Sequence, residues 1–244
     1  MATHLFSVRR ALVGTVLSVA FNLSAACHDS KTPATAVTPS QSLSVAGGNT
    51  QTGTVATSLQ SPFIVRLTAG DGSGVGGVTV TWAVTAGGGA LSGTTVQTDD
   101  QGYASVLLTL GTTTGANTVT ASTPDGESLA FNASAVAGSV ASLVKVQGDQ
   151  QTLADGSVSA PLVVRAVDLY GNPVAGVTIV WSADNGTPLA PTAVTDANGL
   201  AQDLLQAAPT DGTYDVAADV PGVPPVTFTE MSVALPSSPV RGGN

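Results

Sequence analysis

The sequence predicts an all-β protein built as two tandem antiparallel β-sandwiches, and two observations support this. The first is an internal repeat: Pro62–Arg66 (PFIVR) is matched ninety-nine positions later by Pro161–Arg165 (PLVVR). The second is a series of short segments rich in Val and Thr, separated by Gly, Asn and Asp, with no sustained helical period after residue 27. Short strands at regular spacing favour a sandwich over a fold that alternates strands with helices.

The repeat continues through further landmarks. Val75–Trp82 matches Val174–Trp181 at the same offset, and Thr98–Gly102 matches Thr195–Gly199 after a two-residue deletion. A match over so many positions indicates two copies of one unit of about a hundred residues, which is a common domain size. We therefore expect two domains, at residues 41–137 and 138–235.

Alternating apolar and polar residues define the strands within each copy. Val78, Val80 and Trp82 share one predicted face, with Thr79 and Thr81 on the other. The single Trp of each copy is predicted to lie at the centre of its core, because no disulfide is available. Further strands are expected at Ala104–Leu110, Asn117–Ala121 and Leu129–Ala133, with counterparts at Ala201–Leu205, Thr213–Ala218 and Val226–Thr229.

The N-terminus has the pattern of a bacterial export signal. Arg9 and Arg10 precede an apolar run, and small residues lead to Cys27, the only cysteine. We expect a signal peptide at 1–26 and lipidation of Cys27, because a lone cysteine in an exported chain cannot form an internal disulfide. The alternative is an ordinary signal peptide cut after Ala26, with Cys27 left unmodified. A flexible tether is expected at 27–40 and a disordered tail at 236–244.

Composition excludes several function classes. Charged residues make up 9% of the chain and the net charge is −9, which disfavours binding to nucleic acid. Both histidines precede residue 29, so neither predicted domain has a base for a nucleophile or an ordinary zinc ligand set. We expect no cofactor, no metal and no enzymatic activity.

Acidic residues leave two alternatives open. Asp99, Asp100 and Asp196 lie at predicted hairpins, where Asp usually accepts backbone hydrogen bonds rather than acting in a glycosidase pair. A calcium site becomes possible if the loops carrying Asp99, Asp100, Asp125 and Glu127 meet at one end of the sandwich.

Aromatic side chains are the candidates for ligand contact. Both Trp residues are predicted to be buried, which leaves Tyr103, Tyr170 and Tyr214 for a glycan or protein partner. Tyr170 precedes Gly171 in a predicted turn and is therefore the best placed of the three.

The second copy resembles a known family. Asp168–Trp181 (DLYGNPVAGVTIVW), followed by Thr195–Ala201 (TDANGLA), is similar to the bacterial immunoglobulin-like domain of group 1, a repeat of invasin- and intimin-type surface proteins. The first copy departs from the motif, with Ala69 in place of the Asp and Ser73-Gly74 in place of Asn-Pro. The resemblance implies immunoglobulin-like sandwiches that act as rods carrying adhesive tips, with no catalytic residues.

Together these features predict an exported, non-catalytic surface spacer or adhesion module of the bacterial envelope, held to the lipid bilayer through acylated Cys27, with its domains on the cell surface or on the periplasmic side. Its partner would be an unknown protein or glycan on the envelope or on a neighbouring cell. The main alternative is a polysaccharide-binding or accessory module that works beside an envelope enzyme, and a hydrolase is a third possibility.

Overall fold

A computed structural model describes residues 40–234. The predicted signal peptide, Cys27, nearly all of the predicted tether and the predicted tail lie outside these residues. Within residues 40–234 every regular element is a β-strand, and no helix is present that could cross a membrane. The all-β fold class is confirmed.

Ten strands form the first sandwich. A three-stranded sheet has the order β1-β3-β7, a five-stranded sheet has the order β2-β10-β9-β4-β6, and β5 pairs with β8. Their bounds are β1 (Ser42–Gly47), β2 (Gln51–Thr54), β3 (Phe63–Thr68), β4 (Thr79–Ala86), β5 (Ala90–Leu91), β6 (Thr95–Gln97), β7 (Tyr103–Val106), β8 (Leu108–Thr109), β9 (Gly115–Ser122) and β10 (Ser128–Val136).

The next ten strands repeat this arrangement in the second sandwich. Its sheets have the orders β11-β13-β17 and β12-β20-β19-β14-β16, with β15 paired to β18. The bounds are β11 (Ser142–Gln147), β12 (Thr152–Ala154), β13 (Leu162–Val167), β14 (Thr178–Ala183), β15 (Thr187–Pro188), β16 (Thr192–Val194), β17 (Leu200–Asp203), β18 (Leu205–Gln206), β19 (Gly212–Val220) and β20 (Val223–Val233).

Pairing is antiparallel with one exception in each sandwich. β2 runs parallel to β10, with Gln51 opposite Ala133, and β12 runs parallel to β20, with Thr152 opposite Met231. Sequence patterning could not predict the parallel edge, because β2 (QTGT) has no apolar alternation. The position of β2 at the sheet edge is defined by its backbone pairing to β10.

The two sheets of each sandwich face each other across a core centred on the tryptophan, as predicted. Trp82 is 1% exposed, and its ring centroid lies 5.6 Å from that of Phe131, which stacks on Phe63 at 4.8 Å. In the second sandwich Trp181 is 2% exposed and lies 5.9 Å from Phe228. Aromatic pairs at these separations add to the stabilisation from apolar burial.

The predicted strand Ala104–Leu110 is interrupted at Leu107, which corrects the prediction of a single strand. Tyr103–Val106 pairs with β3, whereas Leu108–Thr109 pairs with β5. The backbone N–H of Leu107 donates to Ser92 Oγ at 3.0 Å instead of to a strand. The chain therefore changes partner at this residue, and Ala201–Leu205 is divided in the same way at Leu204.

A glycine and a glutamine form an ordered corner ahead of β2 and β12 that the sequence comparison missed. Gly148 has φ 95°, and a Cβ there would lie 2.3 Å from the Pro161 carbonyl oxygen, so only glycine fits. Gln151 Nε2 donates to the Gly148 carbonyl at 2.8 Å, and Gln151 Oε1 accepts the Ala160 N–H at 2.7 Å. Gly48 and Gln51 repeat this corner in the first sandwich.

Candidate functional site

Tyr170 lies in an exposed loop between β13 and β14. Asp168 Oδ1 accepts the backbone N–H of Tyr170 and of Asn172, each at 2.9 Å, which closes the loop in the manner of an Asx turn. The Tyr170 side chain is 48% exposed, and the neighbouring Leu169 is 78% exposed. This loop therefore presents an apolar and an aromatic group to solvent.

Tyr103 is the first residue of β7 in the first sandwich and is 40% exposed. The Arg66 guanidinium carbon lies 5.4 Å from the centroid of its ring, a cation–π arrangement. The backbone N–H of Tyr103 donates to Asp99 Oδ1 at 2.8 Å. A strand position and a polar turn thus hold this tyrosine, with one face of its ring covered by arginine.

The prediction that Tyr214 is available to contact a partner is wrong. Its side chain is 1% exposed in the core of the second sandwich, and its hydroxyl has no hydrogen-bond partner there. The residue lies on β19 opposite Glu230 of β20. Alternation along β19 directs it inward with Val216 and Ala218, so it is unavailable for contact with a partner.

The two exposed tyrosines come from separate parts of the fold. Tyr103 belongs to a strand of the first sandwich, whereas Tyr170 belongs to a loop of the second. Their places in different sandwiches give no support to the flat stripe of aromatic rings expected for polysaccharide binding.

Asp99 and Asp196 act in turns, as predicted. Asp99 Oδ1 accepts the N–H of Gln101 at 2.9 Å, and Asp196 Oδ1 accepts those of Asn198 at 2.8 Å and Leu200 at 2.9 Å. The backbone hydrogen bonds from Leu200 and Asn198 hold the pKa of Asp196 below its ordinary value. Both carboxylates accept backbone hydrogen bonds that hold the chain in a turn.

Each sandwich carries a shallow groove at equivalent positions, and each groove has one acid among its lining residues. The groove in the first has a volume of about 310 Å³ and includes Asp99; that in the second is about 380 Å³ and includes Asp196. A glycosidase needs two opposed carboxyl groups. Neither groove supplies a second one, so the hydrolase alternative gains no support from them.

The calcium hypothesis also lacks a cluster to support it. Across residues 40–234 no group of three or more His, Cys, Asp or Glu side chains is placed to hold a metal ion. Asp99 and Asp125 instead belong to separate turns, closed by the bonds Gly102 N–H to Asp99 O and Gly126 N–H to Thr123 O.

Glu230 is an unusual side chain that the sequence reasoning missed. It is fully buried on β20, where Oε2 accepts the Gln151 N–H at 2.8 Å and Oε1 has no partner. Burial raises the pKa of Glu230 to about 7, although the Gln151 hydrogen bond opposes the shift. The signal was present, because Glu230 is two residues after Phe228 on a strand whose alternate residues point into the core.

Comparison with known proteins relates the chain to bacterial adhesins. Residues 143–229 match the family described as bacterial Ig-like domain (group 1). The inverse autotransporter adhesin YeeJ of Escherichia coli (strain K12) is 34% identical over 158 residues, which is 62% of this chain and 7% of that protein. This chain therefore spans a small part of the length of that relative.

Solved structures of adhesins also align with the chain. InvD of Yersinia pseudotuberculosis has a TM-score of 0.48 at 17% identity, covering 80% of this chain and 58% of that one. The Escherichia coli adhesin FdeC has a TM-score of 0.46 at 23% identity, covering 78% of this chain and 63% of that one. The resemblance read from the Asp168–Trp181 motif is confirmed by the family match, which covers residues 143–229 of the second sandwich.

Proposed function

We propose that this protein is a non-catalytic, envelope-anchored Ig-like module that acts as a surface spacer or adhesion module. The observation that carries the proposal is the family match of the second sandwich, in a chain where the same strand order occurs twice. The adhesin YeeJ, 34% identical over 158 residues, is consistent with this role.

The interior of each sandwich supports a mechanical rather than a chemical role. Both cores are filled by aromatic and aliphatic side chains around Trp82 and Trp181. The exposed acids Asp99 and Asp196 are engaged in turns. Such modules hold a surface at a distance from the membrane through the stability of their strands, and they need no reacting group.

Anchoring is assigned to Cys27 on the sequence alone. A diacylated or triacylated cysteine attaches a chain stably to a bilayer, because more than one acyl chain is inserted. The low charge content and net charge of −9 disfavour adsorption to anionic lipid by any other route.

Cell fractionation with a matched variant tests the anchor. The native chain is expected in the membrane fraction, with an N-terminal peptide whose mass corresponds to an acylated Cys27. The Cys27→Ala variant is expected in the soluble envelope fraction. A native chain that is found soluble, with an unmodified N-terminal peptide, would contradict the anchored form of the proposal.

A bead assay tests adhesion. Purified chain is coupled to fluorescent beads, which are added to cultured epithelial cells and to intact bacteria of the producing strain. Beads carrying the chain are expected to bind one of the two surfaces more than beads carrying albumin do. If neither surface retains them, the adhesive role is excluded and only the spacer role stands.

Glycan recognition is the alternative, favoured by the exposed Tyr170 beside Leu169. An array of bacterial and host glycans separates the two proposals. Binding that is lost in Tyr170→Ala, and retained in a Tyr103→Ala control, would favour an accessory polysaccharide-binding module over a spacer.

A further inference from the structure

Two buried polar side chains lie where the sandwiches meet. Asp168 and Asn172, in the loop between β13 and β14, are 3% and 6% exposed. The connection between the last strand of the first sandwich and the first strand of the second is short, since β10 ends at Val136 and β11 begins at Ser142. Buried polar groups are normally hydrogen-bonded, and the partners of these two lie partly in the first sandwich.

Both polar atoms of the Asn172 side-chain amide form hydrogen bonds to the first sandwich. Its Nδ2 donates to the Thr112 carbonyl at 2.8 Å, and its Oδ1 accepts the Thr114 N–H at 3.1 Å. A backbone carbonyl and an N–H two residues apart are the pair that a neighbouring β-strand would use. The asparagine side chain therefore takes the place of a strand residue at this end of the first sandwich.

Asp168 holds the amide of Asn172 in place and also contacts the connecting segment. Its Oδ2 accepts Asn172 Nδ2 at 2.9 Å and the Gly138 N–H at 3.0 Å. A Cβ at Gly138 would lie 3.8 Å from Thr54 Cγ2 and 3.8 Å from Asp168 Cβ, so this glycine lies between the two sandwiches. Hydrogen bonds to an ionised carboxylate are among the stronger ones in proteins.

The first sandwich does not have this pair at the matching positions. Ala69 and Ser73 stand where the second has Asp168 and Asn172, and Asp71 Oδ1 instead accepts the N–H and the hydroxyl of Ser73 at 2.9 and 2.7 Å. The same loop is therefore closed locally in one copy and bonded to a neighbouring sandwich in the other.

We propose that Asp168 and Asn172 form a clamp that fixes the second sandwich to the end of the first, so that the two move as one body. Domains joined by a short connection otherwise move relative to each other by default. The inference concerns the joint alone and holds whether or not the chain is an adhesin. In a spacer, a fixed joint would set the direction in which the far end points.

Distance measurement between two spin labels tests the clamp. Labels are attached to Thr95→Cys and Thr192→Cys, exposed and equivalent positions on β6 and β16, in the full exported chain carrying Cys27→Ser. The labelled chain with native Asp168 and Asn172 is expected to give a single narrow distribution of distances between the two labels. Asn172→Asp, which removes the donor to Thr112 and places a second carboxylate beside Asp168, is expected to give roughly twice the width or more, as for freely moving domains.

The equivalent loop of the first sandwich supplies a matched control. Asp71→Ala together with Ser73→Ala removes a similar number of loop hydrogen bonds without touching the joint, so the distribution should stay narrow. A broad distribution in the native chain would overturn the clamp. So would an unchanged width in Asn172→Asp with both sandwiches folded by near-ultraviolet circular dichroism.

A second variant covers the case in which Asn172→Asp unfolds its own loop. Thr114→Pro removes the donor N–H from the first sandwich and leaves Asp168 and Asn172 intact. It is expected to broaden the distribution to a smaller extent than Asn172→Asp. If Thr114→Pro is folded and its distribution is as narrow as the native one, the amide bond to Asn172 does not hold the joint and the proposal fails.

Discussion

At the residue scale, Glu230 introduces a fully buried carboxyl group into a largely apolar core. Its pKa of about 7 in the folded chain stands against an ordinary value of 4.5. Burial is the main cause; Asp149 raises the pKa further, and the Gln151 N–H and Lys145 lower it. At pH values between 4.5 and about 7, Glu230 therefore keeps its proton in the folded chain and has lost it in the unfolded chain.

This difference gives the sign of the pH dependence. Stability falls with rising pH wherever the folded state binds more protons than the unfolded state. The free energy of unfolding is therefore expected to decrease as pH rises from 4.5 to about 7, by roughly 2–3 kcal/mol in total. The decrease levels off about one pH unit above the folded pKa, where Glu230 is ionised in both states.

We predict that Glu230→Gln abolishes this slope and makes the chain more stable than the native form at pH 8, because the amide stays neutral and still accepts the Gln151 N–H. Urea unfolding at several pH values measures the effect. The control is Glu127→Gln, an exposed side chain, which should keep the native slope. A native stability that is flat between pH 4.5 and 7 would show that Glu230 ionises as an ordinary glutamate.

The core tryptophan provides the second prediction at this scale. Trp181→Ala removes a 2% exposed side chain that packs on Phe228, and large-to-small changes of this kind cost about 3–5 kcal/mol. Urea unfolding followed by circular dichroism measures the loss. Leu169→Ala, at a 78% exposed position, should change stability by less than about 0.5 kcal/mol. Equal midpoints for the two variants would contradict the placement of Trp181.

Single residues were predictable where alternation was clear. Trp82 and Trp181 were identified as core residues because each ends an alternating apolar row. Tyr214 was named as a contact candidate because both Trp residues were predicted to be buried, yet it shares the inward face of β19 with Val216 and Ala218. The alternation of apolar residues along β19 was therefore a local signal for the inward position of Tyr214 that the sequence analysis did not use.

At the element scale, the glutamine corners determine where β2 and β12 begin. Gln151 bonds to Gly148 and to both backbone groups of Ala160, so it joins the start of β12 to the segment before β13. The corner is also a repeat, since Gly48 and Gln51 stand one hundred positions earlier. The next landmarks along the repeat lie ninety-nine positions apart, because the first copy has one extra residue between Gln51 and Pro62. The corner was therefore missed when the two copies were compared from that offset onward.

We predict that Gln151→Ala lowers stability by about 1 kcal/mol, because the Ala160 N–H and the Gly148 carbonyl lose their side-chain partner but can reach water. Amide hydrogen exchange should also become faster in β12 than in β19. Gln202→Ala is the control, since Gln202 is an exposed residue of β17. Unchanged exchange in β12 would show that the corner forms without the side chain.

Strands differed in how far the sequence specified them. β4 follows apolar alternation and was predicted, whereas β2 and β5 are short and exist through pairing with other strands. The break at Leu107 depends on one serine hydroxyl fifteen residues away. Such long-range bonds have no local signature.

At the scale of the whole molecule, the repeat was sufficient to predict two sandwiches, but it could not predict how they are joined. The joint depends on Asn172 bonds to backbone atoms of Thr112 and Thr114, at separations of 60 and 58 residues. Asp168 and Asn172 were recognised as family motif residues, and the motif alone gives no reason for their contact with the first sandwich.

The central proposal is that these sandwiches are displayed on the outside of the cell and not on the periplasmic side of the envelope. Antibody raised against residues 40–234 and applied to intact producing cells tests it most directly, with an antibody against a periplasmic protein as the control for envelope integrity. The account predicts strong staining of intact cells that is lost in Cys27→Ala cells. Staining that develops only after the envelope has been permeabilised would contradict it.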